Sequence, residues 1–164
     1  MPIRHTDKGY FWGSKGPFTT KAQALSVARA AYAHGYKGEK EFTEDSIMVE
    51  EFLSSLLHSV TITHTYHLKT RSYAQHMALG SFYDEMQELV DGLIEAYQGK
   101  YGIVQDYILD AGDIPPMPLE YLISLSEYVK NGRVDFPQDS ELQNMIDEIA
   151  SLIDSTLYKL RFLG

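Results

Sequence analysis

The chain contains no cysteine. Disulfides, thiolate zinc sites and thiol catalysis are therefore excluded, and a reducing compartment fits the composition. No apolar run approaches the roughly 20 residues that a membrane-spanning helix needs, and no signal-peptide core opens the sequence. The expectation is a soluble intracellular protein, or one packed in a particle assembled inside a cell. Several catalytic signatures are missing as well. There is no GxxxxGK[ST] phosphate loop, HExxH, GxSxG or glycine-rich dinucleotide fingerprint. The Glu-x-x-His pair of intrachain di-iron bundles is also absent.

Basic residues are outnumbered 14 to 23, for a net charge of −9. General nucleic-acid binding is disfavoured by that balance. The charge is uneven, however. Arg4, Lys8, Lys15, Lys21, Arg29, Lys37 and Lys40 face only Asp7 and Glu39 in residues 1–40, a net +5. The remainder carries −14. A basic head on an acidic body suggests two units with different partners. The boundaries expected are 1–40 for a small docking module and 41–164 for the main domain. At 164 residues the chain is long enough for one proper core and a small module.

In the head, GYFWGSKGPF reads as a short strand or extended stretch turning at Gly16–Pro17. Thr19 or Thr20 can cap a helix over Lys21–His34, stopped by Gly35, with a small-residue face of Ala24, Ala28 and Ala31. The body reads as four helices. The first runs from a Thr43 cap to about Leu68, with a stripe of Val49, Leu53, Leu56, Val60, His64 and His67. Ser72 with Gln75 forms a capping box for the second, whose stripe is His76, Leu79, Tyr83, Met86, Val90, Leu93 and Tyr97. Residues 99–117 form a long connection with room for a short helix. A third helix covers about Leu119–Val129. Ser140 with Gln143 is expected to cap the fourth, whose stripe is Leu142, Met145, Ile149, Leu152, Thr156 and Leu160.

Chemistry concentrates around the first two helices. A turn near Thr70–Ser72 brings His64 and His76 level, and Asp91 and Glu95 share one helix face at i,i+4. Imidazoles with carboxylates suit iron or another first-row metal. His76 and Asp91 are fifteen residues apart, about 22 Å along one helix, so a single chain cannot bring all four to one ion. A two-fold partner can, because an isologous interface repeats its contacts. His67 lies i+3 from His64 and is a further candidate. The same residues also suit blander roles: His64 and His76 as core partners across two helices, and Asp84, Glu88, Asp91 and Glu95 as a solvated face. His5, His34 and His58 have no convergent partner in the sequence.

The spacing of His64, His76, Asp91 and Glu95 resembles that of the DNA-protecting mini-ferritins, the Dps family. The resemblance implies an all-α, ferritin-like four-helix bundle with a long crossover between helices 2 and 3, preceded by the small strand/helix module. It further implies homo-oligomers with two-fold interfaces. It implies an intersubunit iron-oxidation site using His64, His76, Asp91 and Glu95, with ferroxidase activity and with zinc able to replace iron. Gly80 departs from the pattern, standing where that family places an acidic residue; His67 or Asp84 is positioned to compensate. HLKTRSYAQHMALGSFYDEMQELVDGLIEAYQG resembles an uncharacterised ferritin-like family of tailed bacteriophages. The head resembles a module found at the N-termini of various phage proteins. The second reading is thus a virion structural or interaction protein with a vestigial metal site. In that reading residues 1–40 contact a virion or host protein. Either way, the expected location is the bacterial cytoplasm or a packaged virion.

Overall fold

In the computed structural model, the described residues are 3–12, 15–21, 23–24, 26–27, 44–109 and 111–163, without the side chains of Arg4 and residues 44–47. The chain divides into two units, Met1–Ile47 and Met48–Gly164. The Thr43 cap and the helical stretch expected through Ala28, Ala31, His34 and Gly35 lie outside the described residues.

The first unit contains a three-stranded antiparallel meander: β1 Ile3–Thr6, β2 Gly9–Trp12 and β3 Lys15–Phe18. Sequence reading placed the turn at Gly16–Pro17 and missed β1. The structure instead turns at Asp7–Lys8, where the Thr6 hydroxyl accepts from the Lys8 amide at 3.2 Å. Gly16 sits inside β3 with φ +131°, where a Cβ would come within 2.7 Å of the Phe11 ring. This glycine marks a close approach within a strand rather than a reversal. Strand register pairs Ile3 with Trp12 and His5 with Tyr10, and the His5 and Tyr10 rings lie 4.4 Å apart. Trp12 and Ala24 are buried. Of the two candidate caps, Thr20 serves: its hydroxyl accepts from the Gln23 amide at 3.3 Å, while the Gln23 side chain accepts from the Thr20 amide at 3.3 Å.

The second unit is built from four helices, α1 Glu44–Lys69 (from Met48 onward), α2 Tyr73–Tyr101, α3 Pro118–Gly132 and α4 Ser140–Phe162. Ser72 caps α2 as its sequence pattern requires, accepting from the Gln75 amide at 3.3 Å. Gln75 does not close the box; its side chain accepts from Thr70 at 2.8 Å, and Thr70 in turn accepts from the Ser72 amide. Ser140 is the first residue of α4 rather than its cap. Asp139 takes the cap position, and its carboxylate binds Lys100 and Tyr101 instead of the helix. Residues 102–117 hold no helix among those described.

Cross-helix contacts fix the directions. The turn at Thr70–Ser72 makes α1 and α2 antiparallel. Near the C-terminal end of α1, the Tyr66 hydroxyl donates to the Pro115 carbonyl, and the Tyr66 and Tyr121 rings are 5.8 Å apart. Lower down, Phe52 meets Tyr128 at 6.0 Å and Phe136 at 5.2 Å. The α3 helix therefore runs antiparallel to α1. Lys100 pairs with Glu141 at 2.7 Å, and Met145 lies where a Cβ on Gly92 would meet it at 3.2 Å. The α4 helix is accordingly antiparallel to α2, giving an up-down-down-up order. The 102–117 segment must then travel from one end of the bundle to the other. Midway it is pinned by the Ile108 amide, which donates to the Ser54 hydroxyl at 2.9 Å.

The core is apolar except for a few small hydroxyls. Leu53, Leu56, Leu79, Phe82, Met86, Leu93, Leu122, Ile146, Ile149 and Ile153 are wholly inaccessible or nearly so. In the C-terminal half of α1, the inward stripe is Ser59, Thr63 and Tyr66, not the expected Val60, His64 and His67. Ser59 donates to the Leu56 carbonyl and Thr63 to the Ser59 carbonyl, each at 2.6 Å. A hydroxyl bonded back to its own helix can be buried at little cost. Among the described residues, no buried side-chain polar atom lacks a partner.

Candidate functional site

The α1–α2 turn brings His67 and His76 together. Their rings stack at 3.7 Å, and each imidazole reaches the other residue's backbone. His67 Nδ1 donates to the His76 carbonyl at 2.8 Å, and His76 Nδ1 donates to the His67 carbonyl at 3.1 Å. A carbonyl oxygen only accepts, so both Nδ1 atoms carry hydrogen. Two consequences follow. The His67 carbonyl belongs to the last turn of α1, where no helical amide is available, and His76 satisfies it. Each Nε2 is left free of the tautomer-fixing bond, the arrangement in which metal-bound imidazoles are commonly held.

Gly80 explains how the rings fit. A Cβ there would approach Cε1 and Nδ1 of His67 at 3.3 Å. An acidic side chain at this position would compete with the imidazole for the same space. His64 is exposed and stacks on Tyr83 at 4.4 Å; Tyr83 also meets His67 edge-on at 5.3 Å. Tyr83 was read from the sequence as a core residue. It is half-buried and links two of the three histidines.

Asp91 and Glu95 are both exposed on α2. Asp91 borders a groove of about 340 Å³ whose lining includes Leu57, His58, Val60, Gln87, Tyr107 and Leu109. His58, without a partner in the sequence reading, thus shares a groove with Asp91. Local pattern gives no sign of this, because the groove is closed by Tyr107, Ile108 and Leu109 of the connecting segment. Among the described residues, no three His, Asp or Glu side chains converge as a metal cluster. The hairpin keeps His64, His67 and His76 at one end and Asp91 and Glu95 well below them.

A separate polar cluster was not foreseen. Lys100, in the last turn of α2, binds Asp139 and Glu141 at the start of α4, and the Tyr101 hydroxyl donates to Asp139. The Lys100 ammonium holds both carboxyls below their ordinary range, with the Tyr101 hydroxyl adding to the effect on Asp139. The two carboxylates in turn push Lys100 upward. Burial raises the Tyr121 hydroxyl, with a smaller push from Tyr66.

Among the described residues, fold and site together define a mainly helical protein with four long helices after a small N-terminal sheet, bearing a histidine cluster on the hairpin of α1 and α2. Residues 67–160, more than half of the chain, match a family of unknown function, DUF5856, and the chain belongs to that family. It is also similar to an uncharacterized 14.6 kDa protein in the mobD-ri intergenic region of Enterobacteria phage T4. The two are 24% identical over 112 residues, covering 68% of this chain and 86% of the relative. These likenesses support a phage-encoded protein of unknown function. No solved structure matches the chain. Among the described residues, no helix is long and apolar enough to cross a membrane.

Proposed function

We propose that the chain is a ferritin-like protein that binds a first-row metal, iron or zinc, between two copies of itself. The His64/His76 half-site of one protomer would face the Asp91/Glu95 half-site of the other, with His67 supporting the imidazoles. The observation that carries this reading is the paired Nδ1–H···O=C bonding of His67 and His76, which leaves Nε2 available on each ring. The up-down-down-up helix order with one long crossover supports the ferritin-like reading. Exposure of His64, Asp91 and Glu95 supports a site completed by a partner. When bound, iron would supply the Fe(II)/Fe(III) couple. The chain's own residues supply neutral nitrogen donors from the upper hairpin and anionic oxygen donors from the lower, a mixed set suited to that ion.

Titration of the purified protein with Fe(II) and with Zn(II) tests the reading. Retained metal, lost in His64→Ala and in Glu95→Ala, is the expected outcome. A protein that stays metal-free, with Fe(II) oxidised no faster than in buffer, contradicts it.

One observation favours a second reading. The mutual bonds of His67 and His76 also suffice as a purely structural latch on the α1–α2 turn, and Gly80 gives the latch its space. In this reading the protein is a phage virion structural or interaction protein, and residues 1–40 hold a virion or host partner. Loss of particle incorporation on deleting residues 1–40 is then expected. Absence of the protein from purified virions rules the reading out.

A further inference from the structure

The end of the bundle that carries the α1–α2 turn is unlike the rest of the second unit. The up-down-down-up order gathers there the C-termini of α1 and α4 and the N-termini of α2 and α3. Leu68, Tyr73, Met77, Met117, Phe162 and Leu163 stand at these helix ends, and each is more than half exposed. The Tyr158 ring, also exposed, backs Phe162 at 5.6 Å. Single exposed apolar residues are ordinary, but a group gathered from four helices marks an interaction surface.

Charge follows the same geography. Residues 52–83 and 155–164 contain no Asp or Glu, in a chain of net charge −9. Lys69, Arg71, Lys159 and Arg161 lie in these two stretches, and none forms an ion pair among the described residues. Elsewhere in the unit, Lys100 and Arg133 are engaged by Asp139, Glu141 and Asp147. Two acidic residues stand near the upper end, Asp113 before α3 and Glu120 in its first turn. The next on each helix lie well below: Glu51 on α1, Asp84 with Glu85 on α2, Glu127 on α3 and Asp154 on α4. Along their own helices Asp84 is about 16 Å from Tyr73 and Asp154 about 12 Å from Phe162. Both separations exceed the Debye length of about 8 Å at physiological salt. An anionic surface at this end therefore meets four cations against two carboxylates, with the acidic body screened from it.

We infer that the upper end of the bundle docks on an anionic lipid surface. Leu68, Tyr73, Phe162 and Leu163 enter the headgroup layer. Lys69, Arg71, Lys159 and Arg161 lie among the phosphates with their stems along the apolar side chains. The occupant has to offer negative charge and apolar matter together. Nucleic acid supplies charge, and bases for Tyr73 and Phe162 to stack on, but little for the aliphatic Leu68, Met77, Met117 and Leu163. The patch is spread over four helix ends rather than along one groove, which suits an extended surface better than an acidic peptide. Its polarity also orients the molecule, because a surface that attracts the upper end repels the acidic lower one. This contact needs neither a metal nor a second copy of the chain.

Flotation of the full chain with lipid vesicles in chelator tests this. The chain should float with vesicles of equal parts phosphatidylglycerol and phosphatidylcholine, and bind phosphatidylcholine alone at least about tenfold more weakly. Failure to bind the anionic vesicles overturns the inference. Phe162→Ser with Leu163→Ser, and separately Lys69→Glu with Arg71→Glu, should each weaken binding about tenfold or more, with unchanged circular dichroism spectra. Ile103→Ser with Val134→Ser, exposed apolar positions at the lower end, should leave binding as it was. Binding that survives the upper-end changes, as it would if the basic head carried it, overturns the inference. Equal loss in the Ile103 and Val134 variant does the same. A chain that ignores vesicles but binds single-stranded DNA or polyglutamate through these residues assigns the end to that partner and overturns the lipid assignment.

Discussion

Gly80 shows how much a single position decides. In a helix interior glycine costs up to about 1 kcal/mol relative to alanine, and the chain accepts this cost where His67 needs room. Gly80→Leu should therefore displace the imidazole, break the stacked pair and lower stability by about 1–3 kcal/mol. Gly99 occupies the same helix with nothing within 4 Å of its would-be Cβ. Gly99→Ala should instead stabilise by about 0.5–1 kcal/mol. Thermal denaturation of the two variants checks both signs, and equal effects would show that crowding at His67 is not what distinguishes them. Sequence reading noticed Gly80 as a missing carboxylate. Its physical role became visible only with the His67 ring lying over it, a relation between two helices that no local pattern encodes.

At the scale of elements, the strongly periodic apolar residues were legible. Leu53, Leu56, Leu79, Met86, Val90, Leu142, Ile149 and Leu152 all belong to the core as their spacing requires. The inward face of upper α1 was not legible, because Ser59 and Thr63 look like surface residues until their hydroxyls are paired with their own helix. The clamp between α2 and α4 was equally hidden, joining residues about forty positions apart. Its pH dependence has a definite sign. Asp139 and Glu141 are held below their ordinary values of 3.8 and 4.5, so their stabilisation is complete above those values and is lost as pH falls through the lowered ones. Lys100→Ala should lower the melting temperature at neutral pH and make less difference in strong acid. A penalty that persists unchanged in acid would mean the lysine acts through packing rather than through these carboxylates.

For the whole molecule, topology decides which side chains can meet. On the proposed metal reading, a hairpin with His64, His67 and His76 at its upper end and Asp91 and Glu95 at its lower end needs a second copy to complete its site. The His64/His76 and Asp91/Glu95 spacing was readable in the sequence, and so was the separation that forbids one intrachain site. The groove was not readable, because it depends on where residues 107–109 cross the hairpin. Membership of a family of unknown function and likeness to a phage protein are compatible with either proposed role.

Complementation between two inactive variants tests the central claim most directly. In the proposed dimer, His64→Ala would remove a ligand from one half of every shared site and Glu95→Ala from the other half. After subunit exchange, a mixed dimer regains one intact site, with His64 from one copy and Glu95 from the other. Equilibrium dialysis with Zn(II) should show that neither variant binds alone, whereas their equal mixture recovers about one quarter of the wild-type sites. A mixture that binds no more metal than its separate components would contradict an intersubunit site.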